Sequence, residues 1–157
     1  NALGAMISLV VALLFGLLLS VNPDLPAFQH RSHVSLGDLL LATASGAAGA
    51  LAFTTGLPSA LIGVMVAVAL KPPLVAFGML LGAGYAAASL GPLLRLATNI
   101  ISLNLAAVAT FVAKGIRPRT WWEAERAKAA TRRAYLVWGI LMVALAVLVW
   151  KLSGGLL

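Results

Sequence analysis

The sequence contains no cysteine, and only four of its 157 residues are acidic. Without cysteine the chain has no disulfide framework, no thiolate ligand for a metal and no thiol nucleophile. Charged residues of both signs make up 10% of the chain, whereas hydrophobic residues make up 62%, well above the usual share in soluble domains. This shortage of charge predicts a membrane protein.

The sequence also lacks the short motifs that accompany hydrolytic and intramembrane catalysis. It contains no H-E-x-x-H pattern, no G-x-S-x-G pattern and no pair of acids within an apolar run. We therefore expect no enzymatic activity and no cofactor. His30 and His33 lie in a polar loop with Asp24, but no further ligand accompanies them, so we interpret the loop as solvated rather than metal-binding.

Long apolar runs divide the chain into about five spans. A helix needs about 20 apolar residues to cross a hydrocarbon core of about 30 Å. The fold class predicted from this pattern is all-α, a polytopic transmembrane helix bundle that forms a single domain over residues 1–157. The expected spans are residues 2–21, 35–55, 59–84, 92–113 and 134–150. The chain begins without methionine or a signal peptide, and we expect it to be the later part of a longer protein.

The positive charge is concentrated in residues 114–133, which carry seven basic and two acidic side chains. A basic segment between two apolar spans follows the positive-inside rule, so we expect a cytoplasmic interfacial loop and not a nucleic-acid site. Thr120 and Glu123 have the spacing of a capping box, which predicts a short helix from Trp121. If all five spans cross the membrane, Asn1 lies on the cytoplasmic side. If the third span is instead re-entrant, the membrane orientation of every element before it is reversed.

The apolar run over residues 63–84 is interrupted near its middle by Lys71, Pro72 and Pro73. Two adjacent prolines remove two backbone donors, and inside a bilayer the freed carbonyls need protein or water as partners. A lysine at membrane depth is rare and usually functional. We therefore predict a helix broken at Pro72-Pro73 and a hydrated ion site there. The alternative is a proline kink whose lysine snorkels or is answered by another chain.

The fourth span carries one polar stripe, formed by Arg95, Thr98, Asn99 and Ser102 at helical spacing. We expect this stripe to face the broken helix, with Asn99 at depth and Arg95 either in the site or at the headgroups. The predicted site for an ion or polar solute thus comprises Lys71, Pro72, Pro73, Asn99 and Arg95. Because we expect no acidic residue inside a span, the charged side chains within the spans are basic, and they favour an anion as the bound ion.

Small residues form a stripe along the second span, which indicates close helix packing and, as an alternative, a pore lining. The residues concerned are Ala42, Ser45, Gly46, Gly49 and Ala52. Asn104 lies on the other side of the fourth span from the polar stripe, where we expect it to bond a neighbouring helix or subunit. Five thin spans hardly enclose a polar centre alone, so we also expect a homo-oligomer.

Three stretches resemble an uncharacterised prokaryotic membrane family called domain of unknown function 389. They are LGDLLLATASGAAGALAF, ALIGVMVAVALKPPLVAFGMLLG and RLATNIISLNLAAVATFVAKGIRPRTWW, within about residues 35–123. The resemblance implies an apolar residue where this chain has Lys71, and a second proline-containing span further upstream. The family has no established activity to carry over.

Two functional hypotheses follow for a multi-pass protein of a prokaryotic plasma or inner membrane. The first is a channel or transporter for a small ion or polar solute, with its site at the broken helix. The second is a structural or assembly subunit whose small-residue faces pack against other chains. Solute-dependent flux would separate them.

Overall fold

The computed structural model describes residues 2–28, 36–115 and 121–152, and within these ranges the chain forms five long helices and no strand. They are α1 (Ala2–Leu18), α2 (Leu36–Thr54), α3 (Ser59–Gly82), α4 (Ala86–Ala113) and α5 (Trp121–Leu152). The prediction of an all-α helix bundle is confirmed. His30 and His33, in the loop that we interpret as solvated, lie outside the described residues.

Four of the helices are long and apolar enough to cross a membrane. Their spanning segments are Gly37–Thr54, Ser59–Gly82, Ala86–Ala113 and Ala129–Leu148, while the apolar helix Leu3–Leu18 is shorter. Many large apolar side chains are exposed on the surface of the bundle, as expected for a surface that faces lipid. The chain is therefore a multi-pass membrane protein, with four candidate spans and one shorter apolar helix in place of five full spans.

Two glycines end α2 and α3 and turn the chain back on itself. Gly56 and Gly84 have φ angles of 74° and 85°, which a residue with a side chain rarely adopts. At each position the amide of the glycine and the amide of the next residue donate to carbonyls of the last helical turn, as in a Schellman motif. Pro58 then precedes the first residue of α3. Since the links are only three or four residues long, α2, α3 and α4 are successive antiparallel neighbours.

Two boundaries differ from the sequence predictions. Helix α4 begins at Ala86 rather than at Pro92, because Gly84 completes the turn and leaves Tyr85 as the N-cap. Pro92 lies inside the helix, where it is almost fully buried. Helix α5 is one continuous element from Trp121 to Leu152, so residues 121–133 of the basic segment are helical and join the last span directly.

The helices α2 and α4 pack in parallel with a fixed register. The pairs Asp38–Arg95 and Gly46–Leu103 are each separated by 57 residues, so both helices advance in the same direction. A Cβ atom at Gly46 would overlap the backbone carbonyl oxygen of Leu103. The predicted small-residue stripe of α2 is thus a packing surface. In the described ranges α3 contacts both of these helices, α1 packs on α3, and α5 packs on α4.

Candidate functional site

The two central prolines lie inside a continuous helix. Helix α3 remains α-helical from Ser59 to Gly82, with Pro72 and Pro73 in its interior. The helix is therefore not broken at Pro72-Pro73, contrary to the prediction. Two backbone hydrogen bonds are lost locally, because neither proline has an N–H to donate to the carbonyl four residues earlier. A single helix of 24 residues is about 36 Å long, which favours a full crossing over a re-entrant segment.

Asn99 replaces one of the two lost donors. The carbonyl that Pro73 leaves without its usual partner belongs to Ala69, and Asn99 Nδ2 donates to that oxygen at 2.8 Å. Ala69, Pro73 and Asn99 are all buried. The pairing of a polar residue on α4 with the proline region of α3, predicted from the sequence, is therefore present as a specific hydrogen bond.

This hydrogen bond joins the middles of two membrane-crossing helices. Ala69 is the eleventh of the 24 residues of α3, and Asn99 is the fourteenth of the 28 residues of α4. Water is absent at that depth in lipid, so an unpaired carbonyl there costs more than at a helix end. Asn99 consequently stabilises the proline-containing segment where solvent cannot.

A double-mutant cycle tests this assignment. Asn99→Ala should lower the free energy of unfolding by about 1–3 kcal/mol, the cost of leaving a buried acceptor unsatisfied. In a Pro73→Ala background the new backbone N–H can donate to the Ala69 carbonyl, so the same substitution should cost at least about 1 kcal/mol less. Thermal unfolding of the four purified proteins in detergent measures this coupling.

Asn104→Ala is the matched control, because Asn104 Nδ2 donates to the Ile100 carbonyl of its own helix and not to a neighbouring helix as predicted. Its cost should be the same in both backgrounds. Additive costs of Asn99→Ala and Pro73→Ala would show that Asn99 does not serve the carbonyl freed by Pro73.

One helical turn from Asn99, an ion pair crosses from α4 to α2. Arg95 donates through Nη2 to the carboxylate of Asp38, and the two side chains are only 18% and 10% exposed. Asp38 lies within the first turn of α2, inside the segment long enough to span the membrane. The expectation that no acidic residue lies within a span is therefore wrong, because the register of α2 against α4 places this carboxylate beside Arg95.

Two buried oxygens of the polar stripe have no hydrogen-bond partner among the described residues. They are Asn99 Oδ1 and Ser102 Oγ, on residues 3% and 5% exposed. The offset of 57 residues places Ser45, also buried, opposite Ser102. Ser45 is the middle residue of α2, so α2, α3 and α4 all contribute polar atoms near their midpoints. We call Ser45, Asn99, Ser102 and the Ala69 carbonyl the central polar cluster.

A family model described as "Domain of unknown function (DUF389)" matches residues 1–105, which is about two thirds of the chain. The chain belongs to the DUF389 family. An uncharacterised protein of Methanocaldococcus jannaschii is 36% identical over 141 residues, covering 90% of this chain and 44% of that protein. The chain thus spans less than half the length of this relative. No solved structure matches it.

The DUF389 match includes α1, α2, α3 and most of α4, and with them the whole central polar cluster. It begins earlier and ends earlier than the stretch over which the resemblance was recognised, so the N-terminal helix is part of the family pattern. Residues 106–113 at the end of α4 and all of α5 lie beyond the match.

The structure separates the two halves of the predicted site. Asn99, Arg95 and Pro73 face the helix interface, whereas Lys71 and Pro72 are exposed. Two residues along a helix correspond to a rotation of about 200°, so Lys71 points away from the side on which Ala69 meets Asn99. In the described ranges Lys71 has no hydrogen-bond or ion-pair partner. A shared role for all five residues stays a prediction.

Sequence reasoning did not place Asp38 and Ser45 in the site of this DUF389 chain. Ser45 was assigned to a packing stripe, and the spans were expected to contain no acidic residue. A signal existed in their spacing: Asp38, Ala42, Ser45 and Gly49 repeat the intervals of Arg95, Asn99, Ser102 and Ala106. Two stripes with the same three-and-four spacing are typical of helices that pack along a common seam.

Proposed function

We propose that the protein acts without enzymatic activity as a channel or transporter for a small ion or polar solute. The observation that supports this is the central polar cluster, which lies at the middle of three apolar helices. Polar and ionisable side chains at membrane depth are energetically costly and commonly mark substrate or ion pathways. The Asp38–Arg95 pair extends the polar contact between α2 and α4 from the central polar cluster towards one membrane surface.

A structural or assembly role is the second candidate, and one observation favours it. The amide of Asn99 already donates to the Ala69 carbonyl, so part of the cluster serves the stability of the proline-containing helix. If the polar groups of the cluster only form hydrogen bonds with one another, the cluster can be explained without a bound solute.

The proposal includes an assembly of several copies in a prokaryotic plasma or inner membrane, with residues 114–133 on the cytoplasmic side. Lys71 is the thirteenth of the 24 residues of α3 and is exposed on the isolated chain. An ammonium group facing lipid at that depth is unfavourable by about 3 kcal/mol. Contact with another subunit or with a hydrated pathway would remove this cost, which supports an oligomer. The basic segment sets the orientation through the positive-inside rule.

Ion flux through purified protein in liposomes tests the transport proposal. We expect flux in the native protein, and a decrease of about tenfold in Ser102→Ala if one lost ligand contributes about 1.4 kcal/mol. Lys71→Leu should change the flux less, because Lys71 faces away from the cluster. Ser89→Ala is the matched control, since this buried hydroxyl bonds the Ala86 carbonyl at the start of α4.

Absence of flux for every ion tested, with a folded protein of native oligomeric size, would favour the structural candidate. If Lys71→Leu abolishes flux while Ser102→Ala does not, the pathway lies along the exposed side of α3 instead of the α2–α4 seam.

A further inference from the structure

We infer that the central polar cluster binds a small monovalent cation, sodium or potassium, through its oxygen atoms. This inference rests on the proposed transport function and names the substrate class. It also reverses the preference for an anion that the basic residues of the spans indicate. The reversal follows from which polar atoms are already occupied and which are not.

The Asn99 amide contributes an acceptor to the cluster. Its nitrogen donates to the Ala69 carbonyl, so the side-chain oxygen, which is bonded to the same carbon atom, points away from that carbonyl. That oxygen is buried and has no partner among the described residues. An amide oxygen can only accept, so its partner must carry a positive charge or a donor hydrogen.

Ser102 differs from the other hydroxyl residues of α4. Ser89, Thr98 and Thr110 each donate to a carbonyl one turn earlier in their own helix, at 2.8 Å. Ser102 Oγ makes no such bond within the described part of the chain, although Ser102 is buried like Ser89 and Thr98. Ser102 follows Asn99 by three residues, which places both side chains on one face of α4.

The charges around the cluster favour a monovalent cation. The Arg95 guanidinium lies one turn away, but its charge is balanced by Asp38. Oxygen ligands without sulfur or imidazole suit hard cations. A divalent ion would need carboxylates, and within residues 36–115 the one acidic side chain is Asp38, which already binds Arg95. An anion is disfavoured next to Asn99 Oδ1, because this buried amide oxygen can only accept a hydrogen bond and carries partial negative charge.

Thermal unfolding at constant ionic strength tests the inference. The purified chain in detergent is heated in choline chloride and in increasing sodium, potassium or lithium chloride. A ligand that binds only the folded state raises the Tm as its concentration passes the Kd, and a hundredfold excess should raise it by about 5–10 °C. We expect such a rise with at least one of the three cations.

Four variants locate the effect. Ser102→Ala and Ser45→Ala should reduce or abolish the cation-dependent shift, whereas Ser89→Ala should keep it. Ser102→Thr retains the hydroxyl and should retain the shift, which separates loss of a ligand from loss of packing. Equilibrium dialysis of the native protein with radioactive sodium should show about one bound ion per chain.

The inference is overturned if no cation raises the Tm above that in choline and none is retained in dialysis, because the cluster then holds water only. An unchanged shift in Ser102→Ala would also overturn it, even where flux supports the transport proposal. Cation binding at the cluster without any flux would instead leave the site in place and contradict transport.

Discussion

Asp38→Ala should lower the free energy of unfolding by about 3–5 kcal/mol, the range measured when one member of a buried ion pair is removed. The substitution leaves the Arg95 guanidinium in the α2–α4 seam without its carboxylate. Because the pair lies within the spanning segments, the uncompensated charge has lipid or apolar side chains as its alternative surroundings. The expected Tm decrease is about 10 °C.

Charge exchange distinguishes the ion pair from other roles of Asp38. In the double variant Asp38→Arg with Arg95→Asp the opposite charges face each other again, and most of the lost stability should return. Recovery should fall short by about 0.5–1 kcal/mol, because an acid in the first turn of α2 also interacts favourably with the helix dipole. Asp24→Ala is the control: this acid is exposed and outside the spans, so its loss should change stability by less than about 0.5 kcal/mol.

A decrease below about 1 kcal/mol for Asp38→Ala would contradict the assignment of the pair to the membrane interior. It is the value expected of a solvated surface pair. If the single variants are strongly destabilised but the exchanged pair recovers nothing, the two residues matter for reasons other than their mutual attraction.

The Asp38–Arg95 pair shows which features of the structure the sequence could predict and which it could not. Hydrophobic runs predicted the spans because membrane thickness imposes a length that single residues cannot override. The polar stripe on α4 was predicted for a similar reason, since helical periodicity places Arg95, Asn99 and Ser102 on one face. Which residue of another helix lies opposite was not predictable. That choice depends on the register of α2 against α4, and the register is fixed by tertiary contacts.

Two predictions made from proline and glycine positions differ from the structure. The Pro72-Pro73 pair predicted a broken helix, whereas α3 is continuous and Asn99 donates to one of the two carbonyls that the prolines leave without an amide. Gly91-Pro92 predicted a helix start that Gly84 had already provided. In each case the structure around the proline depends on a residue outside the local segment, so local helix propensity alone could not predict it.

Gly46→Ala should be the most damaging conservative substitution in α2. The added methyl group would overlap the Leu103 carbonyl oxygen, which belongs to the backbone and cannot rotate away. The two helices must therefore separate or shift, and strain of this kind costs about 3 kcal/mol or more. The same displacement moves Asp38 relative to Arg95 and Ser45 relative to Ser102, since one register positions all three pairs. We expect a Tm decrease of about 10 °C and loss of any cation-dependent shift.

Two matched glycines give this prediction its control. A methyl group at Gly63 meets nothing within 4 Å, so Gly63→Ala should stabilise α3 by about 0.5–1 kcal/mol through its higher helix propensity. At Gly49, on the same helix as Gly46, the nearest atom is Ile62 Cγ2 at 3.7 Å, an ordinary contact, and Gly49→Ala should be close to neutral. If Gly46→Ala behaves like these two, the α2 and α4 backbones are not in contact at Leu103. The register that unites the ion pair with the central polar cluster would then lose its main support.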